Sequence, residues 1–224
     1  MNILKILVIS PHPDDETLGC GGTILKYKSL GYKIYWLIIT NIDIKNGWDE
    51  EIVYNRQEEI KAVEKIYKFD RTFKLDFPTT KLNEIPSKEL IESISNVIFK
   101  IEPEIIYMPN RSDVHLDHEV AFKAIYNCTK NFRYPFIKKM LMYETLSETE
   151  FAPALPENVF IPNVFVDITD YFNKKIEIMK IYVSEIMKSP LPRSLESIES
   201  LAKYRGSCIG KRYAEAFMLL KEII

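Results

Sequence analysis

The stretch ILKILVISPHPDDETLGCGGTILKYKSLGYKIYWLIIT, residues 3–40, decides the fold. ILKILVIS is an apolar run with one lysine and reads as a buried strand ending at Ser10. TLGCGGTILKYKSLGY places Leu18, Ile24, Leu25 and Leu30 at helical spacing and closes on Gly31. KIYWLIIT (33–40) is a second buried strand, with Trp36 in its core. Strand, helix, strand in under forty residues is the beginning of a parallel sheet.

The same alternation continues. A polar loop leads into a helix marked by Ile52, Ile60, Val63 and Ile66, then a short strand at 72–77. A helix opening near Ser87 and ending before Pro103 follows, then the strand EIIYMP (104–109) and a helix from LDHEVAF. Four alternations in about 130 residues predict an α/β fold: a Rossmann-like, doubly wound, mostly parallel sheet with helices on both faces. Beyond it, 137–146 and 159–168 read as strands, 169–186 and 194–210 as helices, and 214–224 as either strand or helix. No Ser/Gly-rich linker divides the chain, so residues 1–224 are expected to form a single domain.

Composition narrows the function. A net charge of −2 gives no general attraction to nucleic acid or an acidic membrane. No run approaches the length of a membrane span, so no stable membrane insertion is expected. The apolar opening runs into PHPDD without a small-residue cleavage site, and Cys20, Cys128 and Cys208 form neither a CxxC pair nor a disulfide framework; a cytoplasmic location is expected. GCGG at 19–22 lacks the G-x-G-x-x-G register, and the acids before it would repel a pyrophosphate, which argues against a nicotinamide enzyme.

The chemistry concentrates in two turns. The chain has three histidines, His12, His115 and His118, each in an acidic stretch at a strand-to-helix junction. Strands of a parallel sheet end on one edge, and neighbours at the switch point leave a crevice there. His12-x-x-Asp15 and His115-x-Asp117-His118 are therefore expected to face each other. Two imidazoles and one carboxylate fill three corners of a zinc tetrahedron and leave one open. Of the adjacent Asp14 and Asp15, one carboxylate would bind metal while its neighbour accepts a proton from water. The third histidine would stabilise an oxyanion or protonate a leaving group, with Asp117 orienting it.

PHPDDE (11–16) together with HLDH (115–118) resembles the paired signature of the PIG-L/LmbE family of zinc-dependent N-acetylglucosaminyl deacetylases. GGT at 21–23, RQEEIKAVEKIY at 56–67 and RGSCIGKRYAEAF at 205–217 are also similar to family segments. The resemblance implies His12, Asp15 and His118 as metal ligands and Asp14 as general base. It implies His115 as the stabiliser of the tetrahedral intermediate, with Asp117 as its partner, and Arg56 near the sugar. Zinc is the implied cofactor, with iron accepted by the same donors. The implied substrate is a small molecule or glycoconjugate carrying N-acetylglucosamine. Leu116 stands where many members carry proline.

Other residues are open to two readings. Glu16 would orient a ligand, bind substrate or simply occupy a first helical turn; Arg56 would bind sugar hydroxyls or a phosphate, or pair with Glu59 or Glu51. Asn41 and Asp43 would reach the crevice or serve only as loop residues, Tyr213 and Glu215 read as structural, and Trp48, in the polar loop, would stack on a sugar or shape a lid. Asp113 has no evident role. A metal-dependent phosphoesterase and a non-catalytic sugar-binding protein are the competing functions, and a homo-oligomer is left open.

Overall fold

The structure is a computed structural model that describes residues 3–224. Seven strands form one sheet: β1 (Lys5–Ser10), β2 (Lys33–Asn41), β3 (Arg71–Pro78), β4 (Ile105–Pro109), β5 (Lys139–Tyr143), β6 (Val164–Asp167) and β7 (Ala214–Glu222). Their order is β3-β2-β1-β4-β5-β7-β6. The first five are parallel; β7 runs antiparallel to both β5 and β6. The expected α/β sheet with its switch point between β1 and β4 is what the chain builds.

Both faces of β1 are buried because its residues serve two cores. Leu7 and Ile9 pack on one side with α3 (Ser87–Ile101) and α4 (Leu116–Asn127). Ile6 and Val8 pack on the other with α1 (Asp15–Ser29), α2 (Glu50–Tyr67), α5 (Phe172–Met179) and α6 (Leu195–Ser207). Side chains alternate across a strand, so a continuous apolar run is what a doubly covered strand requires. Trp36 is fully buried, and its indole nitrogen donates to Ser10 Oγ at 2.7 Å.

Glycine brings α1 close to the sheet. A Cβ on Gly19 would lie 2.4 Å from the Tyr143 ring. Tyr143 in turn donates its hydroxyl to the Ile9 carbonyl at 2.9 Å, tying β5 to the end of β1 beneath the turn at 11–14.

The last third is where expectation and structure differ. The strand read over 159–168 is confined to Val164–Asp167, since Pro162 interrupts its approach. The helix read over 169–186 spans Phe172–Met179; Asp167 accepts from the Thr169 backbone and hydroxyl and holds the chain in a turn before it. Past Met179 the chain leaves helical geometry, and Tyr182 turns inward to donate to Glu16 at 2.8 Å. Residues 214–222 resolve as a strand, because pairing with β5 and β6 fills the far side of the sheet. Among the described residues, no helix is long and apolar enough to cross a membrane.

Candidate active site

The turn after β1 and the turn after β4 meet at the carboxyl edge of the sheet, as the switch-point rule requires. Three donor atoms converge there. His118 Nε2 lies 3.3 Å from both Asp15 Oδ2 and His12 Nδ1, and His12 Nδ1 lies 3.6 Å from Asp15 Oδ2. Tetrahedral bonds of about 2.0–2.1 Å place neighbouring ligand atoms about 3.3 Å apart. The triangle of His12, Asp15 and His118 therefore fits a zinc-sized ion without rearrangement.

The far nitrogen of each of these rings meets a carboxylate. His12 Nε2 is 3.0 Å from Asp117 Oδ2, and His118 Nδ1 is 2.8 Å from Asp113 Oδ2. A carboxylate behind a ligating imidazole fixes its tautomer and raises its basicity. Asp113 is itself held by Asn110 and by the Thr149 hydroxyl, which donates at 2.7 Å. Asp117 accepts from the Thr80 and Leu82 amides at 2.6 and 3.1 Å, locking the loop after β3 to the site.

This corrects the pairing expected for Asp117. Its carboxylate faces His12, while its backbone N–H donates to His115 Nδ1 at 3.1 Å. The reason is local: His115 is the N-cap of α4, so its ring is drawn to a first-turn amide. With Nδ1 accepting, the neutral ring carries its proton on Nε2. His115 lines the cleft, its ring centroid 4.6 Å from that of His12.

The charge balance suits a cation. Burial disfavours a charged His12, yet hydrogen bonds to Asp117 and Asp15 outweigh it and raise the ring from 6.5 to about 9. Burial likewise opposes charge on His118, and Asp15 and Asp113 push it well above its ordinary range. Asp15 is held far below the usual carboxylate range: the two imidazoles overcome its burial. Three carboxylates, of Asp15, Asp113 and Asp117, thus surround two rings, and a divalent ion taking the place of the ring protons would offset that negative charge.

Asp14 stands beside this triangle in a strained conformation. It is the N-cap of α1 with φ 129° and ψ −30°, far from where side-chain-bearing residues settle. Several contacts hold it there. Its amide donates to Glu16 Oε2 at 3.0 Å, and its carbonyl accepts from Thr17 and Leu18. Arg56 Nη1 donates to the neighbouring Pro13 carbonyl at 2.8 Å, and Arg193 Nη1 sits 3.3 Å from Asp14 Oδ2. Burial and the adjacent Asp15 raise the Asp14 carboxyl well above its ordinary value. Glu16 is wholly buried among hydroxyls and amides, accepting also from Thr17 and Tyr182; burial lifts it from 4.5 to about 7.

Arg56 lines the cleft, but its guanidinium faces the protein. Beyond Pro13 it contacts Glu59 at 3.2 Å, Ser184 at 2.9 Å and Glu185. Asn41 reaches the cleft wall with its amide bonded to Gln57 and Asp76, and Asp43 caps a short 3₁₀ turn at 44–46. Glu215 lies outside the cleft, accepting from the Gly22 and Thr23 amides and from Lys175, which supports its structural reading. The residues that sequence reasoning left without a role are Asp113, Glu185 and Arg193; the last is 179 positions from the carboxylate it meets. The cleft above the triangle holds about 400 Å³, enough for a sugar-sized ligand.

A doubly wound sheet with a His₂Asp triangle at its switch point defines an α/β protein with a candidate metal centre. The chain belongs to the PIG-L family, GlcNAc-PI de-N-acetylase, whose family model matches residues 7–129, more than half its length. Diacetylchitobiose deacetylase of Thermococcus kodakarensis is 27% identical over 99% of this chain and 85% of that protein. The conserved protein TT1542 of Thermus thermophilus shares the fold with a TM-score of 0.78, at 24% identity over 99% of this chain and 97% of that one. N,N'-diacetylchitobiose deacetylase of Pyrococcus horikoshii shares it with a TM-score of 0.75, at 22% identity over 97% and 84% of the two chains.

Proposed function

We propose that this protein is a metal-dependent N-deacetylase that releases acetate from an N-acetylglucosaminyl substrate, with zinc as the metal. The observation that carries the reading is the ligand-ready triangle of His12, Asp15 and His118 beside the raised carboxylate of Asp14.

His12 Nδ1, Asp15 Oδ2 and His118 Nε2 would hold the ion. Bound there, it supplies Lewis acidity, making a water nucleophilic near neutral pH and polarising an amide carbonyl. Asp14 takes the proton from that water as it attacks the acetamide carbon. A carboxylate made more basic by burial is suited to this task. His115 offers Nε2–H to the oxygen that gains charge. Asp14 then passes its proton to the amide nitrogen, the C–N bond breaks, and acetate and a free amine result. Asp113 and Asp117 keep the two ligating rings in their tautomers, and Arg56 and Glu16 keep the Asp14 turn in place. The three unpaired thiols support a cytoplasmic location.

A two-metal phosphoesterase is not favoured. The second possible donor group, His12, His115 and Asp117, reuses His12, and its Asp117 already accepts from the Thr80 and Leu82 amides, so the site lacks a second full ligand set. The test is acetate release from N-acetylglucosamine conjugates, with and without chelator, beside Asp14→Asn. Chelator-sensitive release is expected. The variant should retain metal and lose roughly 10²–10⁴-fold in kcat; wild-type turnover in Asp14→Asn would remove the base assignment.

A further inference from the structure

Four carboxylates line the cleft, those of Asp14, Asp15, Glu148 and Glu185. Three are accounted for. Asp15 belongs to the ligand triangle, Asp14 meets Arg193, and Glu185 joins Arg56 to Arg193. Glu148 has no ion pair among the described residues and belongs to neither group of donors able to share an ion. It is half-buried, and its Oε1 accepts from the Ser147 hydroxyl at 3.1 Å. Its Oε2 has no hydrogen-bond partner among the described residues. Burial raises the carboxyl above its ordinary range, and the charges acting most strongly on it are those of His118 and Asp15, which places it beside the triangle.

The turn that carries Glu148 is strained and firmly held. Ser147 has φ 78°, in the left-handed region that disfavours a side chain. Its amide donates to Glu150 at 2.6 Å, and the Glu148 and Thr149 amides donate to the Thr145 carbonyl at 3.1 and 2.9 Å. The Val114 amide donates to the Glu148 carbonyl at 3.2 Å. The Thr149 hydroxyl accepts from the Thr145 amide at 2.9 Å and gives its one proton to Asp113, the carboxylate behind His118. The turn is thus tied to the support of a metal ligand. Backbone outliers of this kind gather at ligand clamps. The cations of the cleft do not offer the same contact. Every nitrogen of Arg56 has a partner in the protein. Arg193 leaves Nε, which is buried, and Nη2 without partners, but a guanidinium only donates.

We propose that Glu148 is a specificity-determining residue: its Oε2 accepts a hydrogen bond from a ring hydroxyl of the acetylated sugar, and the 145–149 turn sets where that hydroxyl lies relative to the metal triangle. This rests on the deacetylase reading and adds to it a residue that holds the sugar. A hydroxyl donating to a carboxylate makes a charge-assisted bond, stronger than one between neutral groups. A site built around such a bond rejects the analogue that lacks the hydroxyl, because the buried acceptor is left unpaired. Glu148→Ala keeps the backbone contacts of the turn, so Thr149 stays on Asp113.

The experiment compares kcat/KM for acetate release from phenyl β-N-acetylglucosaminide and its 3-, 4- and 6-deoxy analogues in the zinc-loaded wild type, Glu148→Gln and Glu148→Ala. In the wild type, the analogue lacking the bonded hydroxyl should lose roughly 10–100-fold. In Glu148→Ala the parent should fall by a similar factor and that analogue no further, while the other two keep their wild-type ratios to the parent. Glu148→Gln retains an acceptor and should lie between. If Glu148→Ala leaves the ratios of all three analogues as they are in the wild type, the proposal is overturned. A fall of about tenfold or more in zinc affinity of Glu148→Ala, read by chelator competition, also overturns it, since the residue would then act on the metal. Calorimetric binding of parent and analogues to the metal-free proteins separates this contact from the reaction. A hydroxyl preference in binding that Glu148→Ala abolishes, without acetate release from the loaded enzyme, would remove the deacetylase reading and leave the contact. Acetate release with a hydroxyl preference that Glu148→Ala does not change would remove the contact alone.

Discussion

The strain at Asp14 can be measured by two substitutions at the same position. A residue with a Cβ held at φ 129°, ψ −30° costs about 1–3 kcal/mol relative to a relaxed conformation. Asparagine tolerates the left-handed helical region, but this ψ lies outside it, so Asp14→Asn keeps the strain. Asp14→Gly removes it, at a cost of up to about 1 kcal/mol from the greater freedom of the unfolded chain. Both variants delete the buried negative charge, so their difference isolates the backbone. Asp14 opens onto the cleft, and removing its side chain leaves no sealed void. Asp14→Gly is therefore expected to be more stable than Asp14→Asn by about 1–2 kcal/mol, a rise of roughly 2–8 °C in Tm for a chain of this size. Urea unfolding of the two metal-free proteins gives the free-energy difference and a thermal scan gives the Tm. Both should lack activity. If Asp14→Asn equals or exceeds Asp14→Gly in stability, the turn is not strained, and the contacts from Glu16 and Arg56 have no conformational work to do.

Three further outcomes follow from the same contacts. Asp113→Asn should weaken metal binding by about 10–100-fold in chelator competition, because the His118 tautomer loses its carboxylate; unchanged affinity would make Asp113 merely a loop residue. Burial lifts Glu16 from 4.5 to about 7, so the native state keeps a proton that the unfolded chain sheds between those values. Stability of the metal-free protein should then fall by about 3 kcal/mol as pH rises through that window. Glu16→Gln should flatten this slope in urea titrations, and an identical slope in variant and wild type would refute the assignment. Arg193 holds the Asp14 carboxyl down against burial and Asp15. Arg193→Met should move the acid limb of the kcat/KM profile to higher pH, and a shift to lower pH would contradict the contact.

The parts of the site that were legible in the sequence are those written in consecutive residues. A strand that ends in a turn of His, Asp and Asp announces both a fold boundary and a ligand set, since burial explains the strand and nothing in packing explains the turn. The two motifs could be brought together on paper because the edge of a parallel sheet is a topological fact. What could not be read is what the rest of the chain contributes to that edge. Asp113 was visible beside His115, yet its role depends on His118 turning one ring nitrogen back toward it, which spacing alone does not specify. Arg193 lies in KSPLPRS, a segment with no helical or strand period, and only the departure from helix after Met179 delivers it to Asp14. The tail AEAFMLLKEII was ambiguous for a related reason: its apolar residues suit either period, and the vacancy between β5 and β6 decides for a strand.

The same division explains how the Asp14 carboxylate is kept in place. The ligand triangle is assembled from two adjacent strand ends and needs little else, which is why its donor atoms stand at metal-ready distances. Asp14 is different, because local preference opposes both its backbone and its charge. Its conformation is sustained by four residues from three separate regions: Glu16 from its own helix, Arg56 from α2, and Tyr182 (through Glu16) and Arg193 from the chain leading to α6. Two of these, Tyr182 and Arg193, come from the irregular segment between α5 and α6. That segment also carries Glu185, which joins the two arginines into one network. Irregularity there is what allows one short stretch to reach Glu16, Arg56 and Asp14 at once; a continuous helix over 172–186 would place only one face against α1 and α2. Loss of regular structure in the last third is thus the means by which the Asp14 carboxylate is held beside the His12–Asp15–His118 triangle.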